Sequence, residues 1–287
     1  MLNFRLSGNC HLLKLQSSYF CSMKQILSIL FVLLLLTACN DQEQGKQPAE
    51  KINADREQVL KDSVALFPDS LLLKEQLIQF YRDNEDYDKA IASVTEALLN
   101  DSLNTRLWDI KATLHFENDD PLNAIKSFET ALKINPSPRF LILLGSLYAQ
   151  TKNIRALDMA DALLQSKLPE TEKEALFIKG FYYNYTGAYK QAIVFFNKCL
   201  ALDHMHLFAY REKGIALYEM GKYEDAITVL DKAVTLQNKF DEGYYWLGRC
   251  LEKLNRPNEA IEEYKTALMY SPDYIEPKAA LTRLKAP

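Results

Sequence analysis

Glycine and proline are both scarce in this chain, which contains 9 and 10 of them among its 287 residues. A fold built from short strands joined by many tight turns would need more of both, so the composition argues against it. Alanine, leucine, lysine and glutamate are frequent instead, and 48% of the residues are hydrophobic, which is enough to form a core. This composition predicts an all-α protein.

Basic tracts are also absent, and the formal net charge at pH 7 is −4. A protein that binds nucleic acid typically carries a basic patch or stripe. A general binder of anionic membrane surfaces carries clusters of lysine and arginine. We therefore expect no nucleic-acid partner, and no general affinity of the folded part of the chain for membrane surfaces.

The common catalytic and cofactor-binding motifs are missing from the sequence. Neither HExxH nor GxSxG occurs. Gly214 and Gly221 are separated by six residues, whereas the two glycines of a phosphate-binding P-loop are separated by four. His204 and His206 have no third metal ligand nearby in the sequence. We therefore predict that the protein is not an enzyme and has no metal site and no cofactor.

The chain does contain an internal repeat. Leu207–Pro272 consists of two consecutive copies of a 34-residue unit, because Gly214 and Gly248, like Ala226 and Ala260, are 34 positions apart. A fixed period of this length indicates a stack of repeats rather than a single globular core. The small and aromatic residues at these positions resemble those of the tetratricopeptide repeat (TPR) family, whose unit is a pair of antiparallel helices.

The same register extends through most of the chain, since Ala90 and Ala124 are again 34 positions apart. One unit is irregular, because Ala156 and Ala160 take its small positions and its second helix starts early. The register predicts an all-α solenoid of about six stacked helix-turn-helix repeats with N- and C-terminal capping helices. The predicted solenoid is 55–287, with repeats 71–104, 105–138, 139–172, 173–206, 207–240 and 241–274 and capping helices 55–67 and 275–285.

Two cysteines fall inside the repeats, at positions where small buried side chains are expected. Cys199 corresponds to Ala233 in the next repeat, and Cys250 corresponds to Ala216 in the preceding one. The two cysteines lie two repeats apart, so their Cα atoms should be farther from each other than the roughly 7 Å that a disulfide allows. We predict two buried, unreactive thiols.

An apolar run, Ile26–Leu36, stands near the start of the chain and is interrupted only by Ser28. It is shorter than the about 20 residues that are needed to span a bilayer. With Lys24 before it and small residues after it, the run is typical of a secretory signal peptide. The sequence Leu36-Thr37-Ala38-Cys39 at its end resembles the lipobox of bacterial lipoproteins.

This resemblance implies cleavage before Cys39, acylation of that cysteine with fatty acids such as palmitate, and stable attachment to a membrane. We expect Met23 to be the true start. Asn40 directly after the cysteine, by resemblance to enterobacterial lipoproteins, favours the outer membrane of a bacterial cell envelope. The predicted segments are an upstream extension at 1–22, a lipoprotein signal peptide at 23–38 and the lipidated cysteine with a flexible polar tether at 39–54.

By resemblance to the family, the first helix of each repeat lines the concave side of the stack, and five of its positions face the groove. In the last three repeats these positions are rich in aromatic residues and include two arginines, which are typical of binding hot spots. We predict that this groove binds an extended or helical protein segment; the alternative is that some aromatic residues only pack between adjacent first helices. The set does not match the Lys/Asn/Arg clamp with which some family members hold a C-terminal carboxylate. The predicted partner-binding residues are Phe177, Phe181, Tyr185, Phe208, Arg211, Tyr218, Tyr245 and Arg249.

An anchored solenoid of this kind is expected to hold or assemble other proteins of the cell envelope. Relatives with a lipobox followed by repeats serve in pilus assembly, outer-membrane protein assembly or recruitment of cell-wall hydrolases, and fold analogy does not choose among these roles. We therefore predict a membrane-anchored interaction scaffold or assembly factor. Two alternatives remain open: a regulator that recruits cell-wall enzymes, and a glycan-binding uptake lipoprotein in which sugar would quench the fluorescence of Trp246 or Trp108.

Overall fold

The computed structural model describes residues 49–285, which form fourteen helices and no strand. None of these helices combines the length and the apolar character that crossing a membrane requires. In chain order the helices are α1 (Ala49–Leu66), α2 (Leu71–Asp83), α3 (Tyr87–Asn100), α4 (Thr105–Glu117), α5 (Pro121–Ile134), α6 (Pro138–Gln150), α7 (Arg155–Gln165), α8 (Pro169–Tyr185), α9 (Tyr189–Leu202), α10 (Leu207–Glu219), α11 (Tyr223–Leu236), α12 (Asp241–Lys253), α13 (Pro257–Tyr270) and α14 (Ile275–Arg283).

Helices that follow each other in the chain also pack against each other in space. From α2 to α13 they form six pairs, and the second helix of each pair packs on the first helix of the next pair. The last helix, α14, packs on α13 and caps the stack. Because every pair contacts only its neighbours, stability comes from stacking, as in other repeat proteins. The predicted all-α solenoid of six helix pairs is confirmed.

The turn inside each pair contains a residue with positive φ at the same place in the repeat. Gly187 and Gly221 have φ of 80° and 73°, a region that glycine enters without strain. The amide that follows donates back to the first helix, for example from Lys222 N to Leu217 O at 2.9 Å. Four repeats have a residue other than glycine at this place, with φ between 52° and 59°: Glu85, Asp119, Lys152 and Asn255.

Small residues allow the two helices of a pair to approach closely. Ala226 and Ala233 on α11 are completely buried. Gly214 on α10 faces Leu230 of α11 so closely that a Cβ atom added to the glycine would lie 2.7 Å from the leucine side chain. The predicted small positions are therefore close contacts between helices, where a larger side chain would strain the packing.

The third unit differs from the other five, and its predicted end needs correction. Helix α7 has only 11 residues, and α8 begins at Pro169, so the boundary expected after residue 172 falls inside α8. Pro169 suits the first turn of a helix, where its missing N–H is not needed. The Thr171 hydroxyl donates to the Leu163 carbonyl at 3.0 Å and ties the start of α8 to the end of α7. Ala156 and Ala160 do take the small positions of α7, since both are completely buried.

The N-terminal boundary also differs from the sequence-based expectation. Helix α1 begins at Ala49, so the last six residues of the predicted 39–54 tether are helical. Their sequence, AEKINA, consists mostly of residues that favour a helix. The predicted extension at 1–22, the signal peptide at 23–38 and Cys39 lie outside the described residues. At the other end, α14 matches the predicted capping helix, with Pro277 in its first turn.

Candidate partner-binding surface

All the predicted partner-binding residues lie on the first helices of repeats four, five and six. Helix α8 contacts α10, and α10 contacts α12, so these three helices lie side by side. The residues form two groups along them. The first group is Phe177, Phe181, Tyr185, Phe208 and Arg211, and the second is Tyr218, Tyr245 and Arg249.

The first group is a series of ring contacts with only part of its area exposed. The ring of Phe177 stacks on that of Phe181 at 5.3 Å and on that of His206 at 4.9 Å. Phe181 is 5% exposed and belongs to the core, while Phe177 is half-buried. Tyr185 contacts Phe181 edge-on at 4.9 Å and is 41% exposed. Of the three predicted partner-binding residues on α8, Tyr185 therefore offers the most surface to a partner.

Arg211 is engaged in ion pairs within the stack. Its guanidinium contacts the carboxylates of Glu212 and Glu242. Glu212 is 4% exposed and also accepts a hydrogen bond from Asn184 Nδ2 at 2.9 Å. Burial raises the pKa of Glu212, against the opposing effect of the Arg211 cation. Arg211 also lies 5.0 Å from the ring centre of Phe208, which is 52% exposed.

Arg249 is held by aromatic rings rather than by carboxylates. Its guanidinium lies 5.0, 5.8 and 5.0 Å from the ring centres of Tyr218, Tyr245 and Trp246. It donates hydrogen bonds to the hydroxyls of Tyr218 at 2.9 Å and Tyr245 at 3.1 Å. Burial lowers the pKa of Arg249, but these hydrogen bonds outweigh burial and raise it overall. Within residues 49–285 no carboxylate forms an ion pair with this cation.

An open cleft of about 520 Å³ adjoins Arg249, between α10, α12 and the capping helix α14. Tyr218 and Tyr245 form part of its wall. Arg283 donates to the Glu252 carboxylate at 2.7 Å, which neutralises that acid locally. The charged residues in the wall are Arg249, Lys253, Arg283, Glu252 and Glu276, so cations exceed anions by one.

Two of the predicted residues lie beneath the surface rather than on it. Phe181 is 5% exposed and Tyr218 is 6% exposed. Tyr218 packs edge-on against Tyr223 and Trp246, and its hydroxyl supports Arg249. The alternative interpretation, packing between adjacent helices, therefore holds for Phe181 and Tyr218.

Sequence reasoning missed a ladder of ion pairs that joins neighbouring first helices and, at the C-terminal end, joins α12 to the capping helix α14. In this ladder, charged residues on the groove side of one helix pair with a residue of the neighbouring helix. An acid and an arginine nearly one repeat apart are the signal that could have revealed it. The pairs are Glu75–Arg106, Asp109–Arg139, Glu242–Arg211 and Glu252–Arg283, each 30 or 31 positions apart.

An apolar pocket between α4 and α6 was also missed. It has a volume of about 200 Å³ and is lined by Phe116, Leu143 and Leu147 among others. Phe116 is 47% exposed. Phe116 occupies the twelfth position of repeat 105–138, and Leu143 and Leu147 occupy the fifth and ninth positions of repeat 139–172. All three are among the five positions that the resemblance predicts to face the groove. The strongly apolar sequence of α6, PRFLILLGSLYAQ, was the available signal.

The histidine and cysteine candidates have structural explanations. His206 Nδ1 accepts a hydrogen bond from Ala209 N at 3.1 Å and so caps α10. Within the described residues, no group of three His, Cys, Asp or Glu side chains is arranged to hold a metal ion. Cys199 and Cys250 are free and buried, and burial raises the pKa of each thiol to about 12. The prediction of two buried thiols is confirmed, and thiols with so high a pKa are poor nucleophiles.

Comparison with known families gives three matches. Three models, each described as tetratricopeptide repeat, match residues 75–137, 173–203 and 217–284. Together they cover more than half of the chain. Proteins with these repeats generally mediate interactions between proteins or their assembly, and they are typically not catalytic.

Two curated proteins share part of the sequence. Tetratricopeptide repeat protein 16 of Macaca fascicularis is 22% identical over 214 residues, which is 66% of this chain and 24% of that protein. Tetratricopeptide repeat protein 28 of Homo sapiens is 27% identical over 90 residues, which is 31% of this chain and 4% of that protein. The chain therefore spans less than a quarter of the length of these relatives.

Solved structures share the fold over most of the chain. A tetratricopeptide repeat protein from Parabacteroides merdae ATCC 43184 superposes with a TM-score of 0.69 at 21% identity, covering 83% of this chain and 94% of that one. PilW, described as a widely conserved type IV pilus biogenesis factor, superposes with a TM-score of 0.56 at 23% identity, covering 73% and 97%. At these identities the likeness is one of fold.

Proposed function

The chain belongs to the tetratricopeptide repeat family, and from this premise we propose that it is an interaction scaffold that binds a segment of a partner protein along α8, α10 and α12. Arg249 carries the proposal. It is a cation without a carboxylate partner in the described part of the chain, fixed by three rings at the wall of an open cleft. An acidic side chain of the partner would complete this arrangement with a charge-assisted hydrogen bond.

Exposed aromatic residues extend the proposed surface beyond the cleft. Phe208 is 52% exposed and lies on α10, which contacts α12. Tyr185 is 41% exposed and lies on α8, which contacts α10. Large aromatic side chains and arginines carry much of the binding energy in protein interfaces. The proposed ligand is therefore a segment with an acidic residue for Arg249 and an apolar residue for Phe208, in extended or helical form.

We also propose where in the cell this scaffold is located. The lipobox-like sequence ending at Cys39 supports a lipid anchor in a bacterial cell envelope, and Asn40 supports the outer membrane. The partners would then be envelope proteins, and the role would be assembly, as for the pilus biogenesis factor PilW, or recruitment of cell-wall enzymes. The proposal gives the protein no catalytic step and no cofactor.

Site-specific photo-crosslinking in intact cells tests the proposal. A photoreactive phenylalanine analogue would replace Phe208 in one variant of the full chain and Val194 in another. The two side chains are 52% and 51% exposed, but Val194 lies on α9, the second helix of its repeat. We expect one discrete crosslinked protein from position 208, none from position 194, and loss of the product when Arg249→Gln is added.

Two results would contradict the proposal. Equal products from positions 208 and 194 would mean that the first-helix surface is not the preferred contact. No product at either position, together with quenching of tryptophan fluorescence by soluble glycans, would replace the scaffold with the glycan-binding alternative.

A further inference from the structure

A separate pocket of about 410 Å³ lies between α3, α4 and α5. Its wall contains Trp108, Lys111, His115 and Lys126, and it contains no acidic residue. We call it the Lys111 pocket. It shares no residue with the Arg249 cleft, and none of the predicted partner-binding residues lines it.

Lys111 is the unusual residue of this pocket. Its side chain is half-buried, and within residues 49–285 it makes no hydrogen bond or ion pair; its ammonium lies 5.5 Å from the ring centre of Trp108. Burial lowers its pKa. A half-buried charge without a counter-ion destabilises the fold, and residues perturbed in this way are concentrated at functional sites.

The repeat itself offers a comparison for Lys111. Lys179 occupies the same position two repeats later, and there its ammonium lies 2.6 Å from the Asp161 carboxylate. A carboxylate can therefore reach this position of the repeat, and Lys111 lacks one. Lys213, three repeats after Lys111, is also half-buried and its pKa is also lowered by burial, but it does not line this pocket.

The second cation of the pocket is Lys126. Its ammonium donates one hydrogen bond to Asn123 Oδ1 at 3.1 Å, which leaves two donors for a ligand. Asn123 is also bound to an acid outside the pocket wall, because Asp120 accepts a hydrogen bond from Asn123 Nδ2 at 2.6 Å. Asp120 lies 3.3 Å from His115 Nδ1 without an aligned hydrogen bond. Burial lowers the pKa of His115, which favours its neutral form.

We propose that the Lys111 pocket binds the phosphate group of a phosphate monoester, with Lys111 and Lys126 as its charge partners. Two ammonium groups match the charge of about −2 that a phosphate monoester carries near pH 7. The volume falls in the range of small-molecule pockets, so an organic group can lie beside Trp108 together with the phosphate. The hydroxyls of Ser127 and Thr130 donate to backbone carbonyls, so the lysines carry the recognition.

Tryptophan fluorescence can report on this pocket alone. The chain has two tryptophans, so in the full chain carrying Trp246→Phe the remaining signal comes from Trp108. The probes are inorganic phosphate, glucose 1-phosphate, and phosphatidylcholine vesicles with and without phosphatidic acid. Glucose and sodium chloride at matched ionic strength are the controls. We expect a saturable change with glucose 1-phosphate or with phosphatidic acid, and none with glucose or chloride.

Charge-neutral variants then test the assignment, after circular dichroism has shown that each keeps its helices. Lys111→Gln and Lys126→Gln should each weaken binding by about tenfold or more, as expected for a lost charge-assisted hydrogen bond. Lys213→Gln is the matched control, because it removes a half-buried ammonium from the same repeat position outside the pocket, and it should leave binding unchanged.

The outcomes show whether the phosphate site exists and, if it does, whether its ligand is a soluble compound or a lipid. A Lys111-dependent response to glucose 1-phosphate indicates a soluble ligand, and a Lys111-dependent response only to phosphatidic acid indicates a lipid headgroup; both support the proposal. It is overturned if no phosphate compound gives a saturable response, if Lys111→Gln binds like the parent, or if Lys213→Gln weakens binding equally. Failure of the crosslinking experiment at Phe208 would not affect it.

Discussion

Replacing Arg211 by alanine tests whether this residue stabilises the repeat stack or is available to bind a partner. Its cation faces Glu212, which is only 4% exposed, so the variant leaves a buried carboxylate without its cation. Removing one partner of a buried ion pair typically costs about 3–5 kcal/mol. The Asn184 hydrogen bond to Glu212 remains, and the Arg211 side chain is 17% exposed, so we expect the lower end, about 3 kcal/mol.

The loss of stability should depend on pH. Burial already raises the pKa of Glu212 above its usual 4.5, and removing Arg211 raises it further. A carboxyl group whose pKa is raised by folding destabilises the folded state once the pH exceeds the unfolded pKa, and increasingly so up to the folded pKa. Arg211→Ala should therefore lose more stability near about pH 8 than near about pH 5. Adding Glu212→Gln should recover most of the loss at the higher pH.

Urea unfolding followed by circular dichroism at both pH values measures these differences. In thermal unfolding, the same loss of about 3 kcal/mol in the free energy of unfolding would lower Tm by roughly 6–12 °C for a chain of this size. The control is Arg256→Ala, which removes an exposed arginine paired with Glu259 and should cost less than about 1 kcal/mol. If Arg211→Ala unfolds at the same urea concentration as the parent at both pH values, the buried network does not stabilise the stack and the reasoning is refuted.

Three further predictions concern a close helix contact, the two buried thiols and the lipid anchor. A Cβ atom at Gly248 would lie 2.5 Å from the ring of Tyr264. The overpacking cost of about 1–3 kcal/mol exceeds the helix-propensity gain of about 1 kcal/mol, so Gly248→Ala should lower the free energy of unfolding in urea by up to about 2 kcal/mol. A more stable variant would contradict the close contact. Cys199 and Cys250 should react with a thiol reagent only in denaturant, and rapid reaction of the native protein would show that they are accessible. Cys39→Ser should abolish palmitate labelling and release the chain from membranes, and continued labelling would exclude the lipobox interpretation.

The helices and their pairing were predictable because a single 34-residue register places small residues wherever two helices approach. Ala226 and Gly214 show this directly, since both lie at close helix contacts. The start of α8 was not predictable from the register. Helix α8 begins at Pro169, four residues before the start that the 34-residue register gives, and the Thr171 hydroxyl ties this start to α7. A local signal of this kind determines the helix start in place of the repeat register.

The binding surface was predictable only as far as the helices that carry it. Whether a residue on a first helix is exposed depends on how the next repeat packs against it. Arg211 and Arg249 illustrate the limit, because both are arginines at predicted groove positions. Arg211 forms an ion pair with Glu242, 31 positions later. Arg249 instead donates a hydrogen bond to the neutral hydroxyl of Tyr218, 31 positions earlier, so its charge is not balanced by a carboxylate of the described residues. The identity of the residue one repeat away decides which arginine is available to a partner.

The central claim is that Arg249 anchors a partner segment. Its most direct test is to measure, by isothermal titration calorimetry, the affinity of the chain for the segment that is crosslinked at position 208. The proteins compared are the parent, Arg249→Gln and Arg256→Gln. Arg256 is the control because it is an exposed arginine that does not line the Arg249 cleft. Loss of a charge-assisted hydrogen bond should weaken binding to Arg249→Gln by about tenfold or more, while Arg256→Gln should bind like the parent. Equal affinity of all three proteins would contradict the claim that Arg249 anchors the partner.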